Sequence, residues 1–382
     1  MKLVSMALTT GPLVLAALGA TLAQGQTRAQ SKLPADQVFK NVKVLKGLPV
    51  DEFMATMGFI SASLGETCSD CHSAESGGSW ERYADDTPRK VVARGMIAMM
   101  NGINKTYFGG RREVTCYSCH RGVERPRITP SLAELYGPPA PVQEPDRMLQ
   151  AAGGKSMTAD QILDRYIQAA GGAEALGRLA SFSAKGTQQS FGEAEKSPFE
   201  MWAKAPDERT TVIHSALGDS STVYDGRTAW IAAPATERPV QVFELTDGDL
   251  DGAKLDAAVT FPMHLKSALT EWRVVPKTTL DGQEVEVLQG TANGKFPVNL
   301  YFDSKTGLLV RMVRYTESPL GLNPTQVDYA DYRDVAGVKI PYHWTVTWLD
   351  GKSAIELSEV QANVAVEAAK FAKPSAPAAP PQ

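Results

Sequence analysis

The chain opens on Met1-Lys2 and an apolar run that includes Leu13, Val14, Leu15, Ala16, Ala17 and Leu18. Small residues follow at Gly19, Ala20, Thr21 and Ala23. A charged start, an apolar centre and a small-residue end predict a secretory signal over residues 1–23, cleaved after Thr21-Leu22-Ala23, with Ala29 a second option. The run is shorter than the ~20 residues needed to span a bilayer, which leaves no transmembrane anchor after cleavage. Downstream, apolar positions recur at helical spacing at Val50, Phe53, Met54, Met57, Ile60 and Leu64, and again at Val91, Val92, Met96, Met99, Met100 and Ile103. Glu75-Ser76-Gly77-Gly78 and Gly109-Gly110-Arg111-Arg112 break these helices, the second of which is expected to end near Asn104.

From Pro126 to Pro145 the texture becomes Pro-rich and polar, as in a linker on the surface. Thr158-Ala159-Asp160-Gln161 then reads as a capping box before a helical run, Ile162 to Ala170, stopped by Gly171-Gly172. A short helix is expected over 173–179. Beyond Ser181 the period changes to two. Val223-Tyr224 and Thr228–Ile231 flank Asp225-Gly226, a hairpin signal. Val298–Phe302 with Leu308–Tyr315, and Val327–Tyr332 with Val338–Val346, form further pairs. The pattern predicts a multidomain chain. A small, mainly α-helical domain spans 32–125, with a linker at 126–157. An α+β domain with an antiparallel sheet or open barrel covers 158–371, and a Pro/Ala-rich tail covers 372–382.

Composition narrows the function classes. With 43% hydrophobic and 21% charged residues, the 382-residue chain is not disordered, and a net charge of -4 gives no basic field for nucleic acid. Four Cys in a chain of this length make no disulfide scaffold.

All four lie in two C-x-x-C-H motifs, Cys68-Ser69-Asp70-Cys71-His72 and Cys116-Tyr117-Ser118-Cys119-His120. A thioredoxin-type motif needs no trailing His and appears once. A four-Cys zinc site would leave both His unexplained. Covalent haem uses every residue: two thiols add across the two vinyl groups, and the adjacent His ligates the iron. Two covalently bound c-type haems are therefore expected, with Cys68, Cys71, Cys116 and Cys119 as attachment points and His72 and His120 as axial ligands. Met commonly supplies the sixth ligand. A helix along one haem face, turning at Gly65 into the motif on the other, places Met57 opposite His72, with Met54 one turn earlier as the alternative. For the second haem the residues alone leave Met96, Met99 and Met100 open, and any of these Met could equally be core packing.

Val38–Leu45, the Met-bearing helix before Cys68, Val92-Ala93-Arg94-Gly95-Met96, Ile103-Asn104 and Val114–Gly122 together resemble the cytochrome c subunit family of photosynthetic reaction centres. The resemblance covers roughly residues 36–126. It implies that a helix carrying the axial Met precedes each haem, which selects Met96 for the second site and Met57 for the first. Photosynthetic members carry four haems in tandem pairs, whereas this chain has two motifs, so it resembles one dihaem half. Gly171–Leu176, Tyr301–Leu308 and Asp331–Pro341 weakly resemble the periplasmic lipoprotein-carrier superfamily, which implies a half-open barrel around helices, sometimes with an apolar cavity.

No phosphate loop, hydrolase elbow or zinc-protease motif appears. His214, His264 and His343 lie far apart and read as surface or core residues. Arg89, Lys90, Arg94, Arg111, Arg112 and Arg121 suit either haem propionates or an acidic redox partner. The expected function is an exported dihaem cytochrome, periplasmic or secreted, that transfers electrons between redox partners. It is an electron carrier rather than a catalyst, because His/Met ligation closes both irons. Two alternatives stand beside it: a haem-dependent oxidoreductase with one open iron site, and a lipid- or quinone-like carrier domain with an attached redox module.

Overall fold

The computed structural model describes residues 33–72, 79–130, 149, 151–153, 156–291 and 297–377. The expected signal segment, most of the linker and the end of the tail lie outside them.

The N-terminal part is helical. Helix α1 is Ala35–Val38 and α2 is Val50–Leu64, the bounds its apolar spacing predicts. Asp51 and Glu52 sit in the first turn of α2, where carboxylates suit the positive end of the helix dipole. Gly65 ends α2 at φ 67°, a left-handed cap that favours glycine. The two motifs form single helical turns, α3 (Cys68–Cys71) and α5 (Cys116–His120). Between them α4 runs from Pro88 to Tyr107, three residues beyond the predicted stop at Asn104. Asn104 does not break the helix because the following loop satisfies its buried side chain. Its Oδ1 accepts from Glu113 N and Val114 N at 3.1 and 3.0 Å, and its Nδ2 donates to Val114 O at 2.7 Å.

The larger part is one antiparallel sheet of thirteen strands. The first six are β1 (Ser181–Ser190), β2 (Ser197–Lys204), β3 (Glu208–Ser215), β4 (Gly218–Tyr224), β5 (Ala229–Ala232) and β6 (Val242–Leu245). The rest are β7 (Thr270–Leu280), β8 (Gln283–Thr291), β9 (Pro297–Asp303), β10 (Leu309–Ser318), β11 (Gly321–Val335), β12 (Val338–Trp348) and β13 (Gly351–Ala362). Two meanders, β1–β6 and β7–β13, join where β1 pairs with β13. The sheet does not close, and β6 and β7 are its edges. The predicted hairpins stand in register at Tyr224 with Ala229, Phe302 with Leu309 and Val335 with Val338.

Helices α6 (Ala159–Ala169), α7 (Gly172–Arg178) and α8 (Asp247–Thr260) cover one face. The Thr158 capping box forms as its sequence predicts. Ile162, Leu163, Tyr166, Leu176 and Leu255 meet Leu288, Leu300, Phe302 and Met312 in the main core. Helix α8 is absent from the sequence reading, since Asp247-Gly248-Asp249 and Asp251-Gly252 mimic turns. It forms because its small residues permit close contact: a Cβ at Gly252 would lie 2.7 Å from the Arg314 guanidinium.

Strands β8 and β9, next to the β7 edge, are buried on both faces over most of their length. Val285, Val287, Tyr301 and Val313 form a second cluster, against which Leu149 of the linker packs. The linker is pinned there by Leu149 N donating to Gln289 Oε1 at 2.6 Å and Ala152 N donating to Val274 O at 2.9 Å.

The two parts pack directly. Phe59 and Ile60 of α2 and Ile97 and Met100 of α4 meet Leu320 at the β10–β11 turn and Leu349 beyond β12. Arg112 reaches across to the Glu317 carboxylate and the Ser318 carbonyl, which makes it a clamp between the parts.

Candidate functional site

In each motif the Cys residues sit at i and i+3, one face of a helical turn. Thr115 caps α5, its N donating to Ser118 Oγ at 3.0 Å, while Thr67 N donates to Asp70 Oδ2 at 2.7 Å ahead of α3. All four thiols are free: Cys68 and Cys119 are exposed, Cys71 and Cys116 half-buried. Burial pushes the Cys71 and Cys116 thiols up, so they stand protonated near neutrality.

Both imidazoles are oriented alike. His72 Nδ1 lies 3.0 Å from Tyr83 O, and His120 Nδ1 lies 3.1 Å from Val123 O. A carbonyl only accepts, so each Nδ1 carries the proton and each Nε2 presents its lone pair, the tautomer a metal ligand needs. The Tyr83 ring also packs edge-on against His72 at 4.7 Å. Burial, and after it the Lys90 charge, hold His72 below its ordinary pKa, which keeps it neutral.

Two cavities of about 250 Å³ each open beside the motifs. The first is lined by Cys68, Cys71, His72, Met54 and Met57, with Phe39, Phe53 and Trp80. The second is lined by Cys116, His120, Met96, Leu64 and Val92. Ile60, Cys71, Ala93 and Ile97 border both, so one wall separates the two spaces. The three methionines of α4 take different positions. Met96 lines the second cavity, Met99 points to solvent, and Met100 is buried against the sheet domain. Free thiols in pairs, an imidazole with Nε2 available and a thioether on an apolar wall suit a c-type haem in each cavity.

Thr87 escaped the sequence reading, and so did the contacts of Asn104 and Lys90, because each acts through a backbone carbonyl or amide. Thr87 caps α4 and donates to Cys71 O at 2.8 Å, tying the first motif to α4. Asn104 shapes the loop that delivers Cys116. Lys90 donates to Tyr83 O and, at 2.7 Å, to Asp85 O.

The cations divide. Lys90 and Arg94 line the first cavity, and Arg94 pairs with Asp86 at 2.7 Å. Arg89 lines the second and pairs with Glu66 at 2.8 Å and Glu124 at 3.5 Å. Arg111 pairs with Glu113 at 3.2 Å, and Arg121 is exposed at the left-handed cap of α5. His214 pairs with Asp219 at 2.8 Å and stands apart from the cavities. Among the described residues, no cluster of His, Cys, Asp or Glu could hold a bare metal ion, and no helix is long and apolar enough to cross a membrane.

Gly65 joins the two sites. Gly122 N, just past the second motif, donates to Ser63 O at 2.9 Å. A Cβ at Gly65 would lie 2.2 Å from Gly122 O. Gly65→Ala therefore combines left-handed strain with a backbone clash, and it should cost about 1–3 kcal/mol. A fall in the thermal midpoint is the expected result, and an unchanged midpoint would refute the close packing.

Comparison with known proteins gives the class. Residues 16–140 match the family model of the photosynthetic reaction centre cytochrome c subunit. The curated photosynthetic reaction center cytochrome c subunit of Rubrivivax gelatinosus is 41% identical over 98 residues, which is 24% of this chain and 25% of that one. That of Thermochromatium tepidum is 39% identical over 97 residues, covering 24% and 23%. The chain thus spans about a quarter of the length of the curated relatives it matches. Among solved structures, a LolA superfamily protein from Nitrosomonas europaea aligns with TM-score 0.40 and 14% identity, over 57% of this chain and 99% of that one. A putative outer membrane lipoprotein-sorting protein domain from Vibrio parahaemolyticus gives TM-score 0.38 and 12% identity, over 55% and 97%. The N-terminal region is therefore similar to c-type cytochromes of electron transfer.

Proposed function

We propose that this chain is an exported dihaem c-type cytochrome that passes single electrons between periplasmic redox proteins. The observation that carries the reading is the pair of cavities with a common wall, one bordered by Cys68, Cys71, His72 and Met57, the other by Cys116, His120 and Met96. Cys68 and Cys71 hold the first haem, and Cys116 and Cys119 the second. His72 and Met57 would ligate the iron of the first, His120 and Met96 that of the second. Each bound haem supplies a one-electron iron couple whose potential the axial pair and its surroundings set. Tyr83 O and Val123 O orient the imidazoles, while the apolar walls exclude water. The shared wall keeps the two sites within relay distance. Methionine on the sixth position leaves no site for substrate, which favours a carrier over a catalyst.

The test is an intact mass and a reduced-minus-oxidised spectrum of the matured protein. The expected result is a mass increment of two haems that survives denaturation. An increment of one, or none, would overturn the reading. Reduced protein should not bind carbon monoxide, and ready binding would favour an open iron site. The cavity between the helices and the sheet, bordered by Tyr166, Tyr329 and Trp344, measures about 100 Å³. It is less than half the volume of either cavity beside the motifs, so carriage of a lipid- or quinone-like ligand there is the lesser reading.

A further inference from the structure

The two sites differ in one respect that the motifs do not show. Tyr83 O accepts from two donors, His72 Nδ1 at 3.0 Å and the Lys90 ammonium. Val123 O accepts from His120 Nδ1 at 3.1 Å, and the cation lining that cavity, Arg89, is engaged by Glu66 and Glu124.

We propose that Lys90 holds the first haem site at the higher of the two reduction potentials, so that the electron of a half-reduced molecule resides there. The inference rests on the dihaem reading and names Lys90 as a positioning residue within it.

Two effects act in the same direction. An ammonium drawing on the Tyr83 lone pairs makes that carbonyl a weaker acceptor for His72. The imidazole then keeps more of its Nδ1 proton, and Nε2 donates less charge to the iron. Weaker donation favours the reduced, less positive state. The second effect is the field. Lys40, Lys43, Lys90 and Arg94 line the first cavity. Their carboxylate partners are Glu81, bonded to Lys40, and Asp86, shared by Lys43 and Arg94. The Lys90 ammonium is held by carbonyls, with the Asp85 and Asp86 charges also acting on it, and among the described lining residues the first cavity carries four cations and no carboxylate. The second cavity carries one cation against two carboxylates, Glu66 and Glu124, the opposite balance. Lys90 is half-buried, so solvent screens it less than an exposed lysine.

The experiment is a redox titration of the matured protein, followed in the visible bands. Variants Met57→His and Met96→His assign the two steps, since each lowers the midpoint of its own site. The wild type should show two steps, the higher assigned by Met57→His. Lys90→Met keeps the bulk and removes the charge. It should lower the first midpoint and shift the electron's distribution between sites by about tenfold, or about 59 mV for one electron. Lys90→Arg should restore the gap. A wild type whose higher step belongs to the second site would overturn the proposal, as would a Lys90→Met protein with both haems and unmoved midpoints. Failure of the dihaem reading looks different, because the matured protein would then lack two covalent haems altogether.

Discussion

A Cys116→Ala/Cys119→Ala variant should retain one covalent haem. Apart from Cys71, which borders both cavities, the two motifs draw on separate residues: Cys68, His72 and Met57 border one cavity, Cys116, His120 and Met96 the other. No thiol is left over to substitute for a lost pair, because all four Cys of the chain belong to the motifs. Cys68→Ala/Cys71→Ala should likewise keep the second haem alone. Each variant should show half the haem mass increment, half the haem absorbance per protein and a single step in the redox titration. The step that survives in Cys116→Ala/Cys119→Ala should be the higher one, if Lys90 acts as proposed. Loss of both haems from either variant would mean that the shared wall makes the sites interdependent, and the picture of two separate attachment sites would fall.

The second large effect is expected at the join between the two parts. Phe59→Ala should destabilise the protein by about 3–5 kcal/mol, as loss of a buried aromatic ring does. Phe59 is 7% exposed and shares a cluster with Ile97, Met100 and Leu320. Gly321 makes room for it, since a Cβ there would lie 2.2 Å from the ring. Gly321→Ala should therefore also destabilise, by about 1–3 kcal/mol through overpacking. Chemical unfolding followed by haem absorbance and by far-ultraviolet circular dichroism separates the consequences. In the wild type the two probes should report one transition. In Phe59→Ala the haem transition should move to lower denaturant than that of the sheet. A change below about 1 kcal/mol would show that the parts are stabilised independently, and the direct packing would carry no weight.

Much of this molecule is legible along the chain, and the reasons are local. The spacing from Val50 to Leu64 predicts α2 to the residue. The Thr158 capping box and the Asp225-Gly226 hairpin form where their residues place them. Helix α8 is illegible because its Gly and Asp read as turns, and only packing against the sheet makes small residues favourable there. The length of α4 is misjudged for a similar reason, since the partners of Asn104 lie nine and ten residues ahead.

By itself the sequence determines the candidate chemistry, because thiol, thiol and imidazole at i, i+3 and i+4 are a local pattern, the two thiols on one face of a helical turn and the imidazole next to it. It also determines the alternation that builds the sheet. Only the tertiary structure decides that Met96 faces a cavity while Met100 faces the core, and that Ile60, Cys71, Ala93 and Ile97 separate the two sites. The same is true of Lys90 sharing a carbonyl with His72, and of Arg112 leaving the cavities to grip Glu317. The physical reason is common to all of these. Each joins groups from different elements, and burial and hydrogen-bond satisfaction across those elements, not spacing within one, determine which side chains meet.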